Sequence, residues 1–215
     1  MTIHCTRFLI ILSEMYSYII QLSKSRYVKR SRPYYNDLAR GLYGAKPFDR
    51  QLRCPDFIVS KAAGLTVLDL GCAEGLVAGL FLQAGAAFVH GTDIKPARIE
   101  AARKLFGDHP NARFDVGDIA RWDHFRRHVG CLPSYDIVLM LAVYHFLPIH
   151  SRAVTLRGAL ALSRRWFVLR TGRRLRDEAT EMIFAGGFGR VIPAGSDPDS
   201  AFRFFERTGA GVGRS

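Results

Sequence analysis

The stretch Val67-Leu68-Asp69-Leu70-Gly71-Cys72-Ala73-Glu74-Gly75 constrains the fold of this 215-residue chain more than any other. An apolar run of strand type passes directly into a glycine turn, and the helix-patterned residues Leu76 to Ala84 follow without a gap. A strand, a tight loop and a helix N-terminus in that order let backbone N–H groups face a bound nucleotide cofactor. The glycine spacing separates cofactor classes. A dinucleotide fingerprint places small residues at 71, 73 and 76, and Leu76 removes the third close-approach glycine.

Downstream, strand and helix patterns alternate. Strands are predicted over Leu65 to Leu70, Ala87 to Thr92, Ala112 to Val116, Tyr135 to Leu141 and Arg165 to Arg170. Helices are predicted over Glu74 to Ala84, closed by Gly85, over Pro96 to Phe106, through Ile149, Ala153, Leu156 and Leu160, and over Leu175 to Ala185. The almost uninterrupted apolar run Tyr135 to Leu141 suits a central parallel strand covered on both faces. Two last strands, Phe188 to Pro193 and Ala201 to Arg207, have no helix between them and predict an antiparallel hairpin. The fold class is therefore α/β: a Rossmann-like, doubly wound, mostly parallel seven-stranded sheet with a C-terminal hairpin and an added N-terminal helical segment.

Residues 1–60 read as that added segment, a helical cover and basic linker, and residues 61–215 as the cofactor-binding domain with a frayed glycine-rich tail. Phe8, Leu12, Met15, Ile19 and Leu22 recur at steps of four and three, one face of an amphipathic helix. Glu14, Ser13, Ser17 and Gln21 interrupt the apolar run, which falls short of the ~20 residues of a membrane span. Peripheral membrane contact through this face stays open as a second reading, whereas Ser23-Lys24-Ser25 makes a poor signal-peptide cleavage site. A basic linker, Lys24 to Pro33, leads to a short helix expected over Tyr34 to Leu42.

The net charge of +12, from 31 Lys and Arg against 19 acids, favours anionic partners such as RNA, acidic lipids or phosphorylated metabolites without choosing among them. Cys5, Cys54, Cys72 and Cys131 are scattered, with no Cys-x-x-Cys pair and no histidine at metal-ligand spacing. Reduced thiols in a cytosol follow, with no zinc site or disulfide framework. Cys72 sits in the glycine loop because a small residue is needed there, rather than as a nucleophile.

Further motifs recur in phase with the glycine loop. Gly91-Thr92-Asp93-Ile94 puts an acid at the end of a strand about twenty residues on, where it can accept ribose hydroxyls or simply cap the helix opened by Pro96. Phe114-Asp115-Val116-Gly117-Asp118-Ile119 follows the third strand, and Leu141-Ala142-Val143-Tyr144-His145-Phe146 ends the fourth. As a set these segments resemble the class I S-adenosylmethionine-dependent methyltransferases, with Ala73 in place of the middle glycine of motif I.

That resemblance implies S-adenosyl-L-methionine as cofactor, held by Asp69, Gly71, Ala73, Gly75, Asp93, Ile94, Asp118, Ile119 and the backbone at Leu141. It implies that the methyl carbon passes from the sulfonium to the acceptor in line, S-adenosylhomocysteine leaving, with no metal. Tyr144 would border the acceptor, and His145 would either act as its general base or orient the loop. Tyr34, Tyr35 and Phe48 of the N-terminal cover are expected to add acceptor contacts. No Asn-Pro-Pro-Tyr, Asp-Pro-Pro-Tyr or Pro-Cys segment is present, which disfavours amino-methylating DNA and glutamine enzymes and attack on cytosine C5. The acceptor is a small molecule or a nucleic-acid base, with RNA served by the basic surface. The rivals are a regulatory or scaffold protein that binds the cofactor without turnover and an NAD-dependent Rossmann enzyme, against which Leu76 counts; a cytoplasmic location is expected.

Overall fold

The computed structural model describes residues 35–36, 46–47, 56–192 and 202–209. Tyr34, Phe48, the basic linker, the amphipathic stretch and the tail lie outside them. Tyr35 and Asn36 form β1 and pair in parallel with Lys46 and Pro47 of β2, so the start of the expected helix over Tyr34 to Leu42 is extended instead. The backbone bonds of Tyr35 and Asn36 go to a neighbouring strand. Among the described residues of the N-terminal quarter, the helix is the four-residue α1 (Asp56–Val59).

The alternating pattern then appears, with one helix more than the sequence pattern predicts. β3 (Thr66–Leu70), α2 (Leu76–Gln83), β4 (Phe88–Asp93), α3 (Pro96–Phe106) and β5 (Ala112–Val116) are followed by a 3-10 turn, Ile119–Arg121, and α4 (Trp122–His128). Next come β6 (Tyr135–Leu141), a second 3-10 turn (Tyr144–Phe146), α5 (Ile149–Leu162), β7 (Ser163–Arg170), α6 (Arg173–Ala185), β8 (Phe188–Val191) and β9 (Phe202–Arg207). Seven strands form one sheet in the order β5-β4-β3-β6-β7-β9-β8. β5 through β7 pair in parallel, and β9 runs antiparallel to both β7 and β8.

β6 shows why a continuous apolar run marks the centre. Ile137 and Leu139 enter the cluster that holds Val77 and Phe81 of α2 and Ile99 of α3, while Val138 and Met140 enter the cluster of Phe125, Leu156 and Ile183 on the other face. All four β6 side chains are fully buried, so each face of the strand carries its own core. One buried polar network crosses the sheet away from the strand C-termini. His90 Nδ1 lies 2.8 Å from the Tyr135 hydroxyl and Nε2 lies 2.9 Å from the Asp115 carboxylate. The Leu132 N–H donates to the same hydroxyl, which leaves the hydroxyl proton for Nδ1 and puts the ring proton on Nε2 facing Asp115. Burial holds the His90 pKa below its ordinary value.

α4 was not foreseen between the strands ending at Val116 and starting at Tyr135. Trp122, Phe125 and Val129 do carry the helical spacing, but Asp123, His124, Arg126, Arg127 and His128 surround them. β7 also starts earlier than its apolar run, at Ser163, directly after α5. Arg207 of β9 makes that junction: its Nη2 donates to the Leu160 and Ser163 carbonyls at 2.9 and 2.8 Å. A helix C-terminus needs such donors for its orphan carbonyls. No helix among the described residues is long and apolar enough to cross a membrane.

Gly158 of α5 is set against the indole of Trp122, and a Cβ there would fall on Nε1 and Cε2 of the ring. Alanine would gain about 1 kcal/mol of helix propensity but lose about 1–3 kcal/mol by overpacking. Gly158→Ala is therefore expected to lower the urea midpoint; an unchanged or raised midpoint would show that α4 can move away freely.

Candidate active site

After β5 the chain crosses back over β3 to lay down β6, so the strand order reverses between β3 and β6, where open α/β sheets place their ligand crevice. A cavity of about 530 Å³ lies there, walled by the segments that follow β3, β4, β5 and β6.

The floor is the glycine loop. Gly71, Ala73 and Gly75 have φ of 84°, 50° and 76°, all left-handed. Gly71 combines this with a close approach, since a Cβ would sit 3.0 Å from the Val143 side chain on the opposite wall. Ala73 holds a conformation that costs an L-residue roughly 1–2 kcal/mol, and hydrogen bonds keep it there. Gly71 and Cys72 donate their N–H groups to the Thr92 carbonyl at 2.8 and 2.9 Å, and Ala73 donates to Asp93 Oδ2 at 3.1 Å. Cys72 is buried, and burial together with Asp69, Asp93 and Glu74 raises its thiol well above the ordinary value. An inert structural thiol results.

Asp93 ends β4 in a buried position. Besides Ala73, its carboxylate accepts the Lys95 N–H at 2.9 Å and Arg98 Nη1 at 3.4 Å. The helix-cap alternative is thus realised together with the contact to the glycine loop. A carboxylate offers about four lone-pair sites, so a further donor can still be accepted, and the long Arg98 contact is the one most easily exchanged. Asp69 is 2% exposed on the same wall, and burial followed by the nearby Asp93 charge pushes its pKa up to about 7.

Ile94 is exposed on the rim, and Asp118 and Ile119 wall the side after β5. Asp118 Oδ1 accepts the Ala120 N–H at 3.0 Å, which fixes the turn. Leu141 lines the cavity at the end of β6, followed by Ala142, a second left-handed non-glycine residue with φ 57°. Asp69, Gly71, Ala73, Asp93, Ile94, Asp118, Ile119 and Leu141 thus meet in one cleft. Gly75 stands behind it as the N-cap of α2, packed against Phe114 and Ala102.

The acceptor candidates lie elsewhere. Tyr144 is fully buried in the core beneath the loop, its hydroxyl pKa raised by burial and by Glu178. His145 faces a separate depression with Gly172, Arg173, Arg174 and Leu175, its ring 4.1 Å from that of Phe146. The 3-10 turn explains both. At three residues per turn, successive side chains diverge by about 120°. Tyr144 goes to the core, His145 toward α6, and Phe146 reaches the cleft at 68% exposure. Phe146, Val143, Leu147 and Arg98 are cleft residues that motif reading missed; their signal was position in the loop after β6 and in the first turn of α3, not residue type. Tyr35 lies in β1, while Tyr34 and Phe48 fall outside the described residues.

Residues 67–165 match the family model of the methyltransferase domain. No curated protein sequence matches the chain. Among solved structures, a magnesium protoporphyrin IX methyltransferase of Synechocystis PCC 6803 with bound S-adenosylmethionine superposes with a TM-score of 0.55 at 21% identity, covering 71% of this chain and 77% of that one. A proposed RNA methyltransferase of Pyrococcus horikoshii gives 0.58 at 15% identity over 86% and 98% of the two chains. The N-methyltransferase NodS of Bradyrhizobium japonicum gives 0.56 at 12% identity over 76% and 98%. These likenesses establish the fold.

Asp69 generates a pH test. Its folded pKa of about 7 lies above the ordinary 3.8, so between those values the folded chain holds a proton that the unfolded chain releases. The stability this group contributes is full below the lower value and declines as pH rises through the upper one, by at most about 1.4 kcal/mol per pH unit. Asp69→Asn cannot ionise, so its melting temperature is expected to gain on the wild type between pH 5 and 8, by about 2–4 °C per kcal/mol. A constant difference across that range would mean Asp69 is ionised throughout.

Proposed function

We propose that this chain is a class I S-adenosylmethionine-dependent methyltransferase, a reading supported by the match of residues 67–165 to the methyltransferase domain, and that it methylates a small molecule whose apolar part rests on the loop after β6. The observation that carries this reading is Phe146, a large aromatic side chain 68% exposed at the mouth of the cleft, beside Leu147, Pro148 and Ile94. Exposed apolar surface at a pocket mouth marks a binding surface rather than a solvated one.

The residues fit the cofactor on two counts. Gly71 leaves open the space between the β3 and β6 walls that a Cβ would press into, and two carboxylates, Asp69 and Asp93, face the cavity. When bound, the cofactor supplies a methyl group already activated on a sulfonium. Asp93, with Ala73 and Lys95 holding its orientation, would accept from the ribose hydroxyls. Ile94, Asp118 and the Ile119 backbone would hold the adenine. Asp69 would answer the ammonium group of the methionine end, which would favour its ionised form. Gly75 starts α2, and the backbone at Leu141 would hold the methionine end. The loop from Val143 to Pro148 excludes water and aligns the acceptor, and no base is required where the acceptor is already nucleophilic.

A second reading, RNA as acceptor, is favoured by the net charge of +12. It predicts an affinity that falls steeply with salt, about one unit of log–log slope per phosphate contact. Cytosolic placement belongs to the same proposal and rests on the scattered cysteines.

Two measurements test the reading. Transfer of labelled methyl from the cofactor into fractionated cell extract is expected to mark the metabolite pool; label in RNA alone would overturn the small-molecule acceptor, and binding without transfer would leave a regulatory protein. In calorimetry, Asp93→Asn is expected to weaken S-adenosylhomocysteine binding by about 1–3 kcal/mol, because hydrogen bonds to a charged acceptor are lost. Unchanged affinity would remove Asp93 from the ribose site.

A further inference from the structure

Arg170 is the last residue of β7, and its register partner on β6 is Leu141, which lines the cleft. Paired residues of adjacent strands send their side chains to the same face of a sheet, so the Arg170 side chain leaves on the cleft face, one strand beyond the cavity wall. Its own carbonyl accepts the Ala142 N–H at 2.8 Å, which ties this strand end to the start of the loop after β6.

The guanidinium lies 5.1 Å from the centre of the Phe202 ring. An aromatic ring serves the flat face of a guanidinium and leaves its N–H edge to find acceptors. Arg170 Nη1 is shielded from solvent and has no hydrogen-bond partner. No carboxylate pairs with Arg170 among the described residues. Asp93 pairs with Arg98, Asp115 with Arg103 and Arg113, and Asp136 with Arg164. Lysine or histidine in such a place could lose its proton; arginine cannot. Arg173, Arg174 and Arg176 open α6 just after it and make this end of the sheet more positive still.

We infer that Arg170 reads an anionic group, a carboxylate or phosphate, carried by the methyl acceptor. The inference rests on the methyltransferase reading and deepens it: the acceptor is an anion with an apolar body, the apolar part against Phe146 and the charge one strand over at Arg170. The fork of guanidinium N–H groups matches two oxygens of either anion. The carboxylate of the cofactor's methionine end shares this chemistry, and the test separates the two.

The full-length protein, saturated with S-adenosylhomocysteine, is titrated at constant ionic strength with benzoate, with phenyl phosphate and with neutral benzamide, and binding is followed by thermal shift. At least one anionic probe is expected to bind more tightly than benzamide. Arg170→Met should weaken that probe by about tenfold or more while leaving S-adenosylhomocysteine affinity unchanged in calorimetry, and Arg170→Lys should recover part of the loss. The inference is overturned if neither anion outperforms benzamide on the wild type, a comparison that needs no variant to fold. It is also overturned if Arg170→Met keeps the preference, or if that variant loses S-adenosylhomocysteine affinity, which would give the anion to the cofactor. If the wild type fails to bind S-adenosylhomocysteine, the methyltransferase reading itself falls; binding without an anion preference sinks only the role of Arg170.

Discussion

The Asp93 carboxylate is the tie on which the cleft depends. It joins the glycine loop after β3, through the Ala73 N–H, to the entry of α3, through the Lys95 N–H and Arg98. Taking a carboxylate out of water costs several kcal/mol unless it is paired and hydrogen-bonded, and here backbone donors and a guanidinium meet that demand at 5% exposure. The same bond holds Ala73 left-handed. Glycine at that position would adopt the turn without help, whereas alanine needs the loop pinned, and the Thr92 carbonyl pins it from the other side by accepting from Gly71 and Cys72.

The parts of the fold that were legible in the sequence are those whose boundaries are set locally. α3 runs over Pro96–Phe106 as read, because proline fixes its first turn, and β6 runs over Tyr135–Leu141 as read, because Pro133 and Ser134 mark its start and its run is apolar but for Asp136. The early start of β7 was not legible, since the donor that permits it, Arg207, is 44 residues away in sequence. α4 was missed for a different reason: seven residues leave room for only two inward positions, Trp122 and Phe125. In the site, the residues read from spacing gathered in the cleft. His145 and Tyr144, taken by resemblance from their place after the fourth strand, did not, because a three-residue turn decides which of three adjacent side chains faces the cleft.

Buried polar groups divide along the strands. The His90, Tyr135 and Asp115 network, away from the strand C-termini, has each ring nitrogen and the hydroxyl partnered. At the C-terminal edge, Thr92 Oγ1, Tyr144 Oη, Arg170 Nη1 and Thr171 Oγ1 are shielded and without a hydrogen-bond partner. Trp166 Nε1, within β7, is the exception to this division. Native interiors leave few such groups, so their concentration at one edge has a cause. It is the edge where Asp69 sits with a raised pKa and where two alanines hold left-handed backbone. The polar imbalance belongs to the site and not to the scaffold.

On the proposed methyltransferase reading, the chemistry this arrangement favours is alignment more than proton transfer. Phe146 rather than His145 faces the cleft, and the remaining residues of that loop on the wall are Ala142, Val143, Leu147 and Pro148, none of whose side chains can take a proton. A general base contributes about 10² to 10⁴ in rate where one is needed, whereas positioning can supply about 10⁵ M or more in effective concentration. With the leaving group already activated, the larger of these effects is the one the apolar wall is built to deliver. On that reading no side chain of this loop on the wall takes a proton from the acceptor, and an acceptor with a free lone pair at neutral pH suits this wall better than a hydroxyl.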